Sequence, residues 1–147
     1  MIERILIAVD GSASGREAVE FGLQIAEKQH ATVTFFYAIR PIVLSEWSAD
    51  FSQGEVRPIP FELDADEQQM LDEATGHATA RGVNSNVEIA SGDPVAEIIS
   101  HADSINADLI VVGSRGQHEV AGSLLGSVSG GVLHEAPRPV LVVRHHL

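Results

Sequence analysis

The sequence predicts a Rossmann-like α/β fold with a single open, five-stranded parallel sheet and helices on both faces. Three observations carry this. Short apolar runs rich in branched side chains alternate with segments of helical period along the whole chain. Strict strand–helix alternation implies crossover connections and parallel strands. The runs "RILIAVD", "DLIVVG" and "PVLVVR" are nearly unbroken hydrophobics, as strands buried on both faces are, and are expected to be central.

The elements follow in order. Residues 4–10 form the first strand, and residues 14–29 a helix with Ala18, Val19, Gly22, Leu23, Ile25 and Ala26 on one face. Ser12 or Ser14 is available to cap it. "ATVTFFYAI", residues 31–39, is the second strand. Residues 40–60 have no period and contain three prolines, which reads as a long connection. Leu63, Met70, Leu71, Ala74 and Ala78 trace a second helix ending near Gly82. "NVEIA" alternates like a half-exposed strand. Asp93 then stands as N-cap and Pro94 as first residue of a third helix, with Val95, Ile98, Ile99 and Ala102 at core-facing spacing. Residues 108–113 are the fourth strand. Leu125, Val128, Val132 and Ala136 mark a fourth helix, and residues 139–144 a fifth strand. Gly130 and Gly131 inside that last helix each cost about 1 kcal/mol against alanine.

The 147 residues suit one domain, 1–147, with a core of its own. The absence of cysteine excludes disulfides and Cys-ligated metals. No apolar run is long enough for a signal peptide core or a membrane span, so the expectation is a soluble, cytoplasmic protein with no membrane insertion. A net charge of −12 argues against general nucleic-acid binding. The same charge requires any anionic ligand to be met by backbone N–H groups, a local cation or a metal.

In an open parallel sheet, ligands bind beyond the carboxyl ends of the strands, where strand order reverses. Asp10 ends the first strand and Gly113 the fourth. After Gly113 the chain reads "GSRGQHEVAGSLLGS", with four glycines and three serines in fifteen residues before the fourth helix. A helix start offers outward N–H groups and a positive dipole end, both suited to phosphate. Gly113 and Gly116 are expected to let backbone approach a ligand, and Gly126 and Ser127 to add two N–H groups and a hydroxyl. The alternative is a surface loop whose serines serve solubility. Neither G-x-x-x-x-G-K-[ST] nor G-x-G-x-x-G is present, so this is not a P-loop, and a hydride-transferring dehydrogenase is not expected on the Rossmann-like fold.

The spacing Gly113-x2-Gly116-x9-Gly126-Ser127 resembles the G-2x-G-9x-G-(S/T) motif of the ATP-binding class of universal stress proteins. "AVDGS", "GDPVAEII", "ADLIVVGSRG", "LLGSVS" and "APRPVLVVR" resemble that family's blocks, in the same order. The resemblance implies a five-stranded sheet of order 3-2-1-4-5, ATP with Mg²⁺ as ligand, and a homodimer through strand 5, residues 139–144. By position it implies that Ala8, Val9 and Val112 wall an adenine pocket and that Ala38 offers backbone to the adenine edge. Gly113 would lie by the ribose, and Arg115, Gly116, Gly126, Ser127 and Val128 around the phosphates. Asp10 would sit near ribose and phosphate, where only a bridging divalent cation makes a carboxylate tolerable. The alternative for strand 5 is an edge blunted by Arg144, His145 and His146.

The function implied is a nucleotide-dependent regulatory module with little or no turnover, since no lysine and no water-activating group is in place at the phosphates. A slow ATPase, an autophosphorylating enzyme using Ser127 or Ser123, a cyclic AMP binder and a ligand-free scaffold are the alternatives. Trp47 and Phe51 either cover the nucleotide or pin the long connection. His118 lies within the loop, and the remaining histidines read as surface groups.

Overall fold

The computed structural model describes residues 1–39, 63–115 and 125–145. The elements are β1 (Arg4–Ala8), α1 (Ala13–Gln29), β2 (Thr32–Ile39), α2 (Ala65–Ala80), β3 (Ser85–Ser91), α3 (Pro94–Ser104), β4 (Leu109–Gly113), α4 (Ser127–Glu135) and β5 (Val140–Val143). The five strands form one sheet in the order β3-β2-β1-β4-β5, and every pairing is parallel.

The sheet divides the core into two layers. Ile5, Ile7, Val33, Phe35 and Val111 pack against Ala18, Val19, Leu23 and Ala26 of α1 and Ala74 and Ala78 of α2. Leu6, Phe36, Ile110 and Val112 pack on the opposite face against Ile98 and Ala102 of α3 and Val132 of α4. β1 and β4 contribute to both layers because adjacent strand residues point to opposite faces. β5 does not. It is an edge strand, and Val140, Leu141 and Val142 remain partly exposed. The expectation of a central fifth strand is corrected here: an apolar run marks a strand that is wanted inside, not its rank in the sheet.

Helix boundaries have local causes. Ser12, not Ser14, caps α1: its Oγ accepts from Gly15 N at 3.0 Å. α2 begins after Leu63 with a reciprocal capping box. Asp64 Oδ1 accepts from Glu67 N at 2.7 Å, and Glu67 Oε1 accepts from Asp64 N at 3.0 Å. Gly82 follows α2 at φ +68°, a left-handed conformation that glycine adopts without strain. Asp93 caps α3 through Ala96 N at 3.0 Å, with Pro94 in its first turn as expected. Leu125 precedes α4 rather than facing the core, and is 38% exposed. Gly131 has a packing reason: a Cβ there would come within 2.7 Å of Val95 Cγ2 on α3. Among the described residues, nothing within 4 Å explains Gly130.

Candidate functional site at the β1–β4 exit

β1 and β4 are neighbours in register Ile7↔Val111, and their chains leave in opposite directions. β1 feeds α1 on one face, and β4 feeds α4 on the other. The strand order therefore reverses here, at the carboxyl end of the sheet.

Asp10 lies exposed just past β1, followed by Gly11 at φ +78°. Its Oδ1 accepts from Ser12 N at 2.9 Å and from Ser12 Oγ at 2.6 Å. The carboxylate thus rests on the start of α1, where the helix dipole favours an anion. Gly15 makes room for it: a Cβ on Gly15 would stand 2.2 Å from Asp10 Oδ1.

The exit of β4 is held from both faces. Ser14 Oγ donates to Arg115 O at 2.6 Å and accepts from Arg115 N at 3.1 Å. Ser114 N donates to Val143 O at 2.7 Å, fastening the exit to β5. Ser114 O accepts from Gly126 N at 2.5 Å and from Ser129 Oγ at 2.8 Å. Residues 114 and 126, the two ends of the glycine-rich segment, are thereby bonded to each other.

This geometry changes the reading of two glycines. A Cβ on Gly113 would lie 2.6 Å from Gly15 N and 2.7 Å from Ser14 C, so its bareness admits the start of α1 rather than a ligand. The Gly126 N–H, expected to face phosphate, is spent on Ser114 O. As N-cap of α4, Gly126 supplies no side-chain hydrogen bond, and the first turn of α4 has no acidic residue.

The structure brings together Ala8, Ala38, Val112 and Val128, which all join the apolar layer on the α3–α4 face. The Val9 side chain lies in the α1–α2 layer, on the other face from Ala8 and Val112. Val9 N instead donates to Phe36 O at 2.8 Å, extending the ladder. Gly113, Arg115, Gly126 and Ser127 stand at the two ends of the segment. Gly116, His118, Ser123, Trp47 and Phe51 lie outside the described residues. Ser14, Ser114 and Ser129 were missed by sequence reasoning, although each sits beside or within a glycine–serine stretch at a strand or helix end.

A second cleft, of about 540 Å³, opens between α1 and α2. Asp10, Asp64, Asp66, Glu67 and Glu73 line it with Tyr37 and Arg16. The Tyr37 hydroxyl donates to Glu67 Oε2. Partial burial, and then that carboxylate, push the phenol above the usual tyrosine range. Among the described residues, no group of three or more His, Cys, Asp or Glu is placed to hold a metal.

The fold and the reversal point define a class: open α/β sheets that present a ligand mouth between β1 and β4. The universal stress protein family model matches residues 1–144, and the chain belongs to that family. It is 31% identical to universal stress protein YxiE of Bacillus subtilis, over 98% of this chain and 100% of that one. Among solved structures it resembles a universal stress protein in complex with cAMP, with TM-score 0.72 and 29% identity over 99% and 98% of the two chains. It also superposes on protein MJ0577 with TM-score 0.81 over 100% and 99%, where 22% identity speaks for the fold alone. No helix among the described residues is long and apolar enough to cross a membrane.

Proposed function

We propose that this chain binds ATP with Mg²⁺ at the β1–β4 exit and acts as a nucleotide-dependent regulatory module with little or no turnover. The observation that carries the reading is the start of α4. It stands at the reversal point of the sheet, with a glycine N-cap, no side-chain cap and no carboxylate in its first turn. Such a helix end suits phosphate, and backbone donors serve a chain of charge −12 that has few cations to spare. Arg115, held at the exit by its backbone, is the cation of the site. The glycine spacing of the segment and the cAMP-bound relative support a nucleotide as ligand.

In this reading Ala8, Ala38, Val112 and Val128 border the base, and Gly126, Ser127 and Arg115 border the phosphates, with Gly116 from the segment between. Asp10 would meet Mg²⁺ indirectly, through the Mg-nucleotide, and the phosphates and water would complete the ion's shell. The ion would supply charge neutralisation between Asp10 and the phosphates. Partly exposed Val140–Val142 at the sheet edge support a homodimer through residues 139–144.

Equilibrium binding of labelled ATP, with and without Mg²⁺, tests the proposal, and the absence of saturable binding at millimolar nucleotide overturns it. The cAMP-bound relative favours a second reading, cyclic AMP as the ligand. Competition between the two nucleotides separates them. A preference for the triphosphate is expected.

A further inference from the structure

The exit of β4 is gripped by two hydroxyls that come from opposite faces of the sheet. Ser14, in the first turn of α1, holds Arg115 through its donor and its acceptor together. Ser129, in the first turn of α4, holds the preceding carbonyl, that of Ser114, and its Oγ also lies 3.2 Å from Gly126 O. Both serines are almost fully buried, at 3% and 2% exposure. A serine in a helix first turn ordinarily serves its own helix or water. Ser14 instead commits its hydroxyl to a residue 101 positions away. Only the bareness of Gly113 lets the helix come close enough.

The consequence is geometric. Asp10 is fixed to the start of α1 through Ser12, and the candidate phosphate amides belong to the start of α4. These two helix ends lie on different faces and share no sequence-local tie. The dipeptide Ser114–Arg115 is the piece between them, and each serine pins one of its residues. We infer that Ser14 and Ser129 are positioning residues for the nucleotide site: they fix the spacing between the Asp10 carboxylate and the phosphate-facing end of α4. The inference rests on the nucleotide reading above and adds two residues outside the glycine motif.

The role implies a specific signature. Loosening the exit weakens recognition of phosphates, whereas the base, bordered by side chains of the apolar layer, is held as before. Loss of a hydrogen bond of this kind corresponds to about a tenfold change in affinity. The experiment measures the affinity of wild type, Ser14→Ala and Ser129→Ala for ATP and for adenosine, well below each protein's melting temperature. Amide hydrogen exchange at Arg115 is followed in parallel. Arg81→Ala serves as a stability control: Arg81 ties α2 to Glu20 and Glu27 of α1, away from the exit.

Each serine variant is expected to lose about tenfold in ATP affinity, to keep adenosine affinity within about twofold, and to show faster exchange at Arg115 in Ser14→Ala. Arg81→Ala is expected to melt earlier with unchanged ATP affinity. If Ser14→Ala does not fold, Ser14→Cys, of similar volume and weaker hydrogen bonding, takes its place. Equal losses for ATP and adenosine would mean a purely structural role and overturn the inference, as would unchanged ATP affinity in both variants. Failure of the wild-type chain to bind ATP overturns the nucleotide reading itself, and the positioning role with it.

Discussion

The starts of α2 and α4 make an instructive pair. Both lie at the carboxyl end of the same sheet, one on each face. α2 opens with Asp64, Asp66 and Glu67 and closes a reciprocal capping box on itself. α4 opens with Gly126, has no side-chain cap and carries no acid in its first turn. The first helix end is neutralised by its own carboxylates, and the second, which has none, is the one proposed to meet a phosphate. An acidic protein therefore need not acquire lysines to accept a phosphate. It has only to keep its carboxylates away from one helix end, because screening at physiological salt confines their field to about 8 Å.

Four substitutions test this contrast. The largest effect is expected from Gly113→Ala. Its Cβ would press on the backbone of Ser14 and Gly15 at 2.6–2.7 Å, so α1 and β4 must separate. A loss of about 3 kcal/mol is expected in urea unfolding. A loss below about 1 kcal/mol would mean that the close approach is not needed.

Gly126→Asp would turn the start of α4 into a copy of the start of α2. The backbone at φ −75° accepts a side chain, and an aspartate cap is good for the helix by a few tenths of a kcal/mol. The new carboxylate would then occupy the place proposed for phosphate. Stability is expected to hold while ATP affinity falls about tenfold or more in an equilibrium binding assay. Full retention of ATP binding would break the contrast.

Asp64→Ala removes the cap of α2. About 1 kcal/mol of stability should be lost with nucleotide affinity unchanged, since that helix end is proposed to serve only the fold. The smallest effect is expected from Glu67→Gln. Tyr37 is the only tyrosine in the chain, so an ultraviolet titration reads it directly. Its phenol should titrate at lower pH once the carboxylate is gone. The sign follows from the raised value in the folded state. The neutral phenol is favoured by folding, so its contribution is complete below about pH 10 and is lost as pH rises further. Glu67→Gln should soften that alkaline loss.

Much of the fold was legible because buried strands and amphipathic helices leave periods in the chain. Asp93–Pro94 announced α3, and Gly82 the end of α2. The capping box in "DADE" was equally readable and gives the start of α2 at Asp64. One reading failed for a physical reason. The run 139–144 has the composition of an inner strand, yet strand rank depends on pairing partners that composition does not encode. Val9 follows Ala8 in sequence, but strand alternation turns its side chain to the other layer.

The candidate site was legible as a place in the fold, and its internal contacts were not. Gly113 was singled out, but its bareness serves the approach of α1. Gly126 was singled out, but its N–H closes the ends of the segment. Ser14, Ser114 and Ser129 leave no period, because their partners are set by tertiary contact.

The position of β1 bears on how the chain is made. Ile5, Leu6 and Ile7 are wholly buried, flanked by β2 on one side and β4 on the other. During synthesis β2 arrives early, but Leu109, the partner of Ile5 in β4, emerges about a hundred residues later. At the usual elongation rates this is roughly five to twenty seconds. Over that interval the nascent β1 presents an apolar, hydrogen-bonding edge with nothing to cover it. A strand wholly buried at its centre in the finished protein is thus an adhesive one on the ribosome, where other unfinished chains or a chaperone meet it first.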